Sequence, residues 1–146
     1  MPRELVALAP RQPALREYDE PQLRPGQVRV RTEFASPKHG TELNLYRGYD
    51  RVLDRRYDES WGCMMPRAEP QLRAMFPRLL GNMAVGVVTE VGSEVRHVQR
   101  GDRVFGHLPI RETHTVSEDQ VFPLPSRLSP DAAVCLDPAV MAFASR

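Results

Sequence analysis

The sequence of 146 residues has a single lysine, only two cysteines and no long apolar run. The cysteines, Cys63 and Cys135, form no CxxC motif, so neither a disulfide scaffold nor a cysteine-rich structural zinc lobe is expected. The longest strongly apolar run, Met83 to Val88, is far shorter than the ~20 residues that span a bilayer. The first ten residues also lack the apolar segment of a signal peptide. These absences predict a cytoplasmic protein with no membrane partner.

Strong charge and a nucleotide-binding glycine motif are missing too. The formal net charge is +1, and the arginines are spread among acids instead of forming a basic stripe, so nucleic acid is not an expected partner. No GxGxxG motif occurs, although a strand-to-helix turn of that kind is how a dinucleotide pyrophosphate is commonly bound. The length fits one domain, and 41% hydrophobic with 27% charged residues is an ordinary globular balance.

Short segments bounded by proline and glycine predict a mainly β fold. Residues 27–34 alternate between Val28, Val30, Thr32 and Phe34 on one face and mostly charges on the other, which is typical of a half-buried strand. Further strands are predicted at 4–9, 14–18, 84–91, 103–105, 112–116 and 120–124. Short helices are predicted within 36–45, from Pro130 with Ser129 as N-cap, and over 137–146. Residues 49–76 are predicted as a long excursion with a short helix at 70–75.

Five blocks of sequence, taken in order, resemble a known family. They are Pro25-Gly26-Gln27-Val28, His39-Gly40-Thr41-Glu42-Leu43, Gly81 to Gly86 followed by Gly92, Gly101-Asp102-Arg103-Val104, and Leu136-Asp137-Pro138. Together they resemble the medium-chain dehydrogenase/reductase family, which includes the zinc-type alcohol dehydrogenases. The resemblance implies a GroES-like catalytic domain over residues 1–136, a partly open β-barrel with short helices that lacks the Rossmann domain. Residues 137–146 would then begin the helix that leads to that missing nucleotide-binding domain.

The family's zinc ligands are only partly matched. In zinc-using members the metal is bound by a cysteine, the histidine and sometimes the glutamate of a Gly-His-Glu element, and a late cysteine or glutamate. By the resemblance, His39 stands at the first position, Asn82 and Met83 at the next two, and Asp137 at the last. A carboxamide and a thioether are poor zinc donors, so no metal is expected.

Without a metal, a substrate carbonyl must be polarised by hydrogen bonds. The resemblance places Thr41 where zinc-using relatives carry a hydroxyl that relays a proton. Since an imidazole ordinarily titrates near neutral pH, His39 is expected to act as general acid or electrostatic stabiliser, and Asp137 is expected to orient it by hydrogen bonding. The alternatives are a surface or capping role for His39 and helix N-caps for Thr41 and Asp137. Asn82 and Met83 are expected to contact substrate where relatives bind the metal, with His39, Asn82 and Asp137 converging on one cleft. His97, His107 and His114 are expected to be solvent-exposed.

Trp61, with Met64 and Met65 following it, is a further candidate for an apolar substrate pocket. The alternative is a hydrophobic patch that covers the barrel.

Two functions from different classes follow. The first is the substrate-binding and catalytic domain of a zinc-independent, NAD- or NADP-dependent oxidoreductase. It would act on a small molecule, with a Rossmann domain supplied in cis or in trans. The second is a stand-alone, non-catalytic GroES-like binding module. In either case the isolated chain is expected to show no turnover and no tight NAD(P)H binding. The sequence does not decide whether the protein forms a homo-oligomer.

Overall fold

Antiparallel strands make up most of the architecture. The computed structural model describes residues 1–38, 40–49, 55–66 and 76–144, without the side chains of residues 41 and 141. The strands are β1 (Arg3–Ala9), β2 (Gln12–Glu17), β3 (Gln27–Ser36), β4 (Arg55–Asp58), β5 (Cys63–Pro66), β6 (Arg78–Leu79), β7 (Met83–Val91), β8 (Arg103–Gly106), β9 (Thr113–Ser117) and β10 (Phe122–Pro123). The helices are α1 (Thr41–Tyr46), α2 (Pro130–Ala133) and α3 (Leu136–Ala144), and a 3₁₀ turn covers Glu118–Gln120.

The strands form three sheets, with orders β2-β1-β6, β10-β8-β7-β3-β9 and β4-β5. In the described residues β9 and β10 are the edges of the five-stranded sheet, which therefore stays open. The mainly β, partly open architecture expected from the sequence is confirmed. Among the described residues no helix is long and apolar enough to cross a membrane.

The core lies on one face of the five-stranded sheet, because the alternating valines of β3 point there with apolar residues of β7 and β8. Its buried members are Val28, Val30, Ala84, Val88, Val98, Val104, Leu108 and Val121. The register pairs Ser36, the last residue of β3, with Met83, the first residue of β7. The loops beyond these two strand ends are therefore neighbours, and they carry the candidate site.

Several local predictions need correction. The described part of the 49–76 excursion contains the hairpin β4–β5, while the helix predicted at 70–75 lies outside the described residues. Gly40, not Thr41, is the N-cap of α1. Helix α3 begins at Leu136, so Asp137 lies in its first turn and is not its N-cap.

The expectation that His114 is exposed is wrong. This residue is 3% exposed, because β9 pairs with the central strand β3 and His114 lies opposite Val30. Burial, with a smaller contribution from the charge of Arg111, lowers the pKa of His114 to about 4.

Candidate functional site

The site is built where β3 ends and β7 begins. The backbone N–H of Asn82 donates to the carbonyl oxygen of Ser36 at 3.0 Å, which extends the β3–β7 pairing by one further bond. Residues that follow Ser36 and residues that precede Met83 are thereby held side by side. The antiparallel register brings Lys38 and Asn82 into one region, although many residues separate them along the chain.

Glu42 joins these two loops. Its side chain is buried, one carboxylate oxygen accepts from the backbone N–H of Lys38 at 2.5 Å, and the other accepts from the backbone N–H of Gly81. A buried carboxylate that accepts two backbone hydrogen bonds is well compensated for its lost hydration. Glu42 therefore fixes the positions of Lys38 and Gly81 relative to each other.

The segment of α2 and α3 is attached to the same place. The hydroxyl of Ser36 donates to the carbonyl oxygen of Val134 at 3.0 Å, and Ala133 is fully buried. Asp137 follows one turn later, in the first turn of α3. This attachment brings a carboxylate from the end of the chain to the loops beyond β3 and β7.

Three polar side chains meet there. Lys38 Nζ lies 2.7 Å from Asp137 Oδ2, and Asn82 is close enough to affect the same carboxyl group. Hydrogen bonding from Lys38 is the main cause that lowers the pKa of Asp137; the charges of Lys38 and His107 and the nearby Asn82 amide act in the same direction, against desolvation. Asp137 is therefore an anion whose partner, Lys38, comes from the loop beyond β3.

Lys38 borders a mostly apolar cleft of about 370 Å³ between β1 and α1, and two further clefts are lined by Asn82 or Asp137. The larger of these two, of about 320 Å³, is lined by Met83, Phe105, Gly106, His107, Phe122, Leu136, Asp137 and Val140. The smaller, of about 140 Å³, is lined by Lys38, Glu42, Leu45, Arg78, Leu79, Gly81 and Asn82. The side chains of Lys38 and Asp137 are 29% and 14% exposed, so the pair is accessible from outside. The cluster thus has a mostly apolar space on one side and a polar one on the other.

The residues singled out from the sequence fall into three groups. Asn82 lies near Asp137, and Met83 is buried at 3% exposure in the wall of the larger cleft. His39 and the side chain of Thr41 lie outside the described residues, although the backbone of Thr41 begins α1. Trp61 is 77% exposed between β4 and β5 and lines neither of the two clefts.

Sequence reasoning missed Lys38, Glu42 and His107. A signal did exist for Lys38, because it is the only lysine and directly precedes the block that resembles the family's first ligand position. Glu42 gave no separate signal, since an acid in the first turn of a helix has an ordinary local explanation. For His107 the sequence offers no indication of its proximity to Asp137.

The side chains around Asp137 suit the ammonium group of Lys38 better than a metal ion. Among the described residues no group of three His, Cys, Asp or Glu side chains is arranged to hold a metal. The carboxylate of Asp137 is already paired with an ammonium, and its other neighbours include a carboxamide, Asn82, and the thioether of Met83. Neither of those groups is a good zinc ligand.

Comparison with known proteins agrees with the architecture. A family model described as "Alcohol dehydrogenase GroES-like domain" matches residues 24–126. The D-guloside 3-dehydrogenase of Escherichia coli (strain K12) is 36% identical over 146 residues, covering 97% of this chain and 42% of that relative. This chain therefore spans less than half the length of that relative.

Solved structures give the same fold at lower identity. The 2R,3R-butanediol dehydrogenase from Bacillus subtilis superposes with a TM-score of 0.67 at 19% identity, covering 94% of this chain and 44% of that one. Escherichia coli quinone oxidoreductase, solved in complex with NADPH, superposes with a TM-score of 0.60 at 18% identity, covering 91% and 36%. At these identities the likeness concerns the fold alone.

Proposed function

The chain belongs to the family of alcohol dehydrogenase GroES-like domains, and from this premise we propose that it is the substrate-binding and catalytic domain of a zinc-independent, NAD(P)-dependent oxidoreductase. The observation that carries the proposal is the ion pair of Lys38 with Asp137 beside two open clefts, one of which is also lined by Asn82. These residues come from different ends of the chain, and a polar cluster beside concave surfaces is a typical binding-site arrangement.

The nucleotide is proposed to bind to a further domain. This chain contains no GxGxxG turn and spans 42% of the D-guloside 3-dehydrogenase it resembles. Residues 1–136 would form the catalytic domain, and residues 137–146 would begin the connection to a Rossmann domain, provided in cis or in trans. When bound, the nicotinamide would give or accept the hydride.

The residues of this chain would bind the substrate and handle charge on its oxygen. Hydride transfer to a carbonyl carbon leaves negative charge on the oxygen, and a donor fixed before the reaction stabilises that charge most effectively. Asn82 lines the smaller cleft, and its amide nitrogen would donate to a substrate oxygen there. Met83 would contact the apolar part of the substrate from the wall of the larger cleft.

The proton would be transferred by residues next to this cluster. We assign His39 as the acid and the Thr41 hydroxyl as the relay, while Asp137 holds the surrounding donors in position. Trp61 stays a prediction for the substrate pocket, with its ring exposed at the turn of the β4–β5 hairpin.

Zinc independence is supported by the chemistry of the donors. Asn82 and Met83 occupy positions where, by the resemblance, zinc-using relatives carry a histidine and a glutamate. The Asp137 carboxylate is paired with Lys38, whose positive charge would repel a metal cation at the same oxygen.

The relative named above suggests a substrate class. A dehydrogenase of a guloside oxidises a secondary hydroxyl on a sugar ring, so glycosides and polyols are the first substrates to test. The full-length protein would be assayed with NAD⁺ and NADP⁺ against glycosides, polyols and simple alcohols, with the metal content measured on the same preparation. Turnover without bound zinc is the expected result. Binding of such ligands without turnover, with either nucleotide, would instead favour a non-catalytic binding module.

A further inference from the structure

We infer that the Lys38 ammonium binds the substrate oxygen and is the cationic group of this site, in the role that a metal ion has in zinc-using relatives. The inference rests on the proposed function and names a residue that the sequence analysis did not select. Lys38 is the only lysine of the chain, so its positive charge is the one ammonium that these 146 residues offer apart from the N-terminus.

The position of Lys38 is determined by the fold. Its backbone N–H is bound by the buried carboxylate of Glu42, and its ammonium is bound by Asp137 at 2.7 Å. Both ends of the residue are thus held, one by the start of α1 and the other by the start of α3. A long, flexible side chain ordinarily loses much conformational entropy when it is fixed on a ligand, and an existing ion pair reduces that loss.

The ammonium keeps donors for a ligand. It has three N–H groups, of which the ion pair with Asp137 occupies one. Lys38 lines the smaller cleft with Asn82, while its partner Asp137 lines the larger one. A substrate oxygen at the junction of the two clefts would therefore meet the ammonium of Lys38 and the free amide N–H of Asn82 together.

A positive charge at this point suits the reaction. In reduction, a bound nicotinamide would supply the hydride to the carbonyl carbon and would itself be oxidised, and the oxygen would take a proton that comes in the end from solvent. Lys38 donates a hydrogen bond to that oxygen throughout and transfers no proton of its own. It stabilises the charge that develops on the oxygen before the proton arrives.

Asp137 is a positioning residue in this arrangement. Hydrogen bonding from Lys38 lowers the pKa of Asp137, so the carboxylate stays charged and keeps its partner in place near neutral pH. Arg78 also lines the smaller cleft, but Lys38 is the residue that forms the ion pair with Asp137.

The test uses the full-length protein with the substitutions K38M, K38R and R100M, assayed by steady-state kinetics in both directions. K38M removes the charge and keeps most of the side-chain volume, so kcat should fall by about 10²–10³, as on removal of one donor to an oxyanion, with a smaller change in KM. K38R keeps a positive charge in a different shape and should retain more activity than K38M. R100M removes an exposed positive charge from the loop before β8 and should leave both constants unchanged.

A second variant covers the case in which K38M does not fold. K38A leaves space for a small amine, so added ethylammonium should raise its kcat in a saturable way. A purely structural role of Lys38 would give no such dependence on the amine. The metal content of the wild type is measured in parallel.

Three outcomes would overturn the inference. The first is wild-type activity with K38M within about threefold in kcat, since one donor is expected to contribute far more. The second is one zinc ion per chain whose removal abolishes activity and whose return restores it, because the metal would then be the electrophile. The third is absence of any turnover in the wild type, which would refute the proposed function and this inference together.

Discussion

Two charge clusters in this chain have similar chemistry and different surroundings. In the first, Glu4 pairs with Arg16 at 2.5 Å and with Arg111 at 2.6 Å. In the second, Asp137 pairs with Lys38 at 2.7 Å. Glu4 is only 1% exposed, although its partner Arg111 lines a cleft, whereas both the cation and the anion of the second cluster line clefts that open to solvent.

The first cluster joins strands. Glu4 stands opposite Arg16 in the β1–β2 register and forms an isolated bridge with Arg111 on its other side. The Arg111 guanidinium lies 4.8 Å from the centre of the Tyr18 ring, and the Tyr18 hydroxyl donates to the Thr113 carbonyl at 2.6 Å. In this cluster the charged groups are paired with other groups of the protein, so the cluster contributes to stability.

The second cluster leaves part of its hydrogen-bonding capacity unused. Lys38 has donors beyond the one directed at Asp137, and Asn82 lines the smaller cleft with it. The comparison indicates that an ion pair by itself says little about function. The decisive properties are how far it is buried and whether its remaining donors face a cavity.

The largest expected effect on stability concerns the first cluster. Replacing Arg16 and Arg111 together by methionine leaves the Glu4 carboxylate buried without a cationic partner, which should cost about 4 kcal/mol of unfolding free energy. Urea denaturation measures it, with R100M as the control for loss of an exposed arginine. A loss below about 1 kcal/mol would mean that Glu4 finds water or another donor.

A second prediction distinguishes His114, a neighbour of Arg111, from Asp137 by the pH at which each affects stability. The pKa of His114 is lowered from 6.5 to about 4, so the unfolded chain binds the proton more tightly and stability is lost as the pH falls from 6.5 to 4. The loss should reach about 3 kcal/mol across this window. The pKa of Asp137 is also lowered, and its contribution should be lost only below its ordinary value of 3.8.

The measurement is urea unfolding at pH 7, 6, 5, 4 and 3. The variant His114→Leu should show a flatter dependence between pH 6.5 and 4, with the decline below pH 4 preserved. An equal slope in the two proteins would show that His114 does not titrate in this way.

A third prediction compares two glycines with positive φ. A Cβ at Gly81, whose φ is 105°, would lie 2.4 Å from the backbone nitrogen of Ile110, while at Gly101, with φ of 95°, it would meet nothing within 4 Å. Gly81→Ala should therefore cost about 2 kcal/mol or more from strain and overlap, and Gly101→Ala about 1 kcal/mol from strain alone. Because Glu42 binds the Gly81 N–H, only Gly81→Ala should also disturb ligand binding at Lys38 and Asn82. Thermal denaturation of both variants measures the loss of stability, and ligand titration measures binding. Equal losses of stability would show that the added Cβ at position 81 does not collide with Ile110.

The smallest expected change in stability concerns the second cluster. Asp137→Asn removes a partly exposed ion pair, which should alter the unfolding free energy by less than about 1 kcal/mol. In the full-length protein the same change should lower kcat/KM by about tenfold or more, because Lys38 loses its anchor. Glu90→Gln, which breaks the exposed pair with Arg29, serves as the matched control and should change neither quantity. A large stability loss in D137N with unchanged kinetics would assign this pair to the same structural class as Glu4.

Much of the fold could be predicted from local patterns. Alternation of Val28 and Val30 with charged residues predicted β3, and Ser129 followed by Pro130 predicted the start of α2, which the structure has at Pro130. The β4–β5 hairpin was not predicted, because Cys63–Pro66 contains no alternation of apolar and polar residues and all four residues are exposed. Where burial does not select a face, the sequence carries no period that would reveal a strand.

By itself, the sequence determined the mainly β class, the positions of most of the longer strands and the resemblance that drew attention to Asn82 and Asp137. These are properties of short segments, since period-two alternation and turn residues act within a few positions. The tertiary structure alone decided that Lys38 pairs with Asp137, that Glu42 is buried as a link between two loops, and that His114 is buried and not exposed. Such contacts depend on the β3–β7 register and on the attachment of α2 to Ser36, which bring together residues that no local pattern relates.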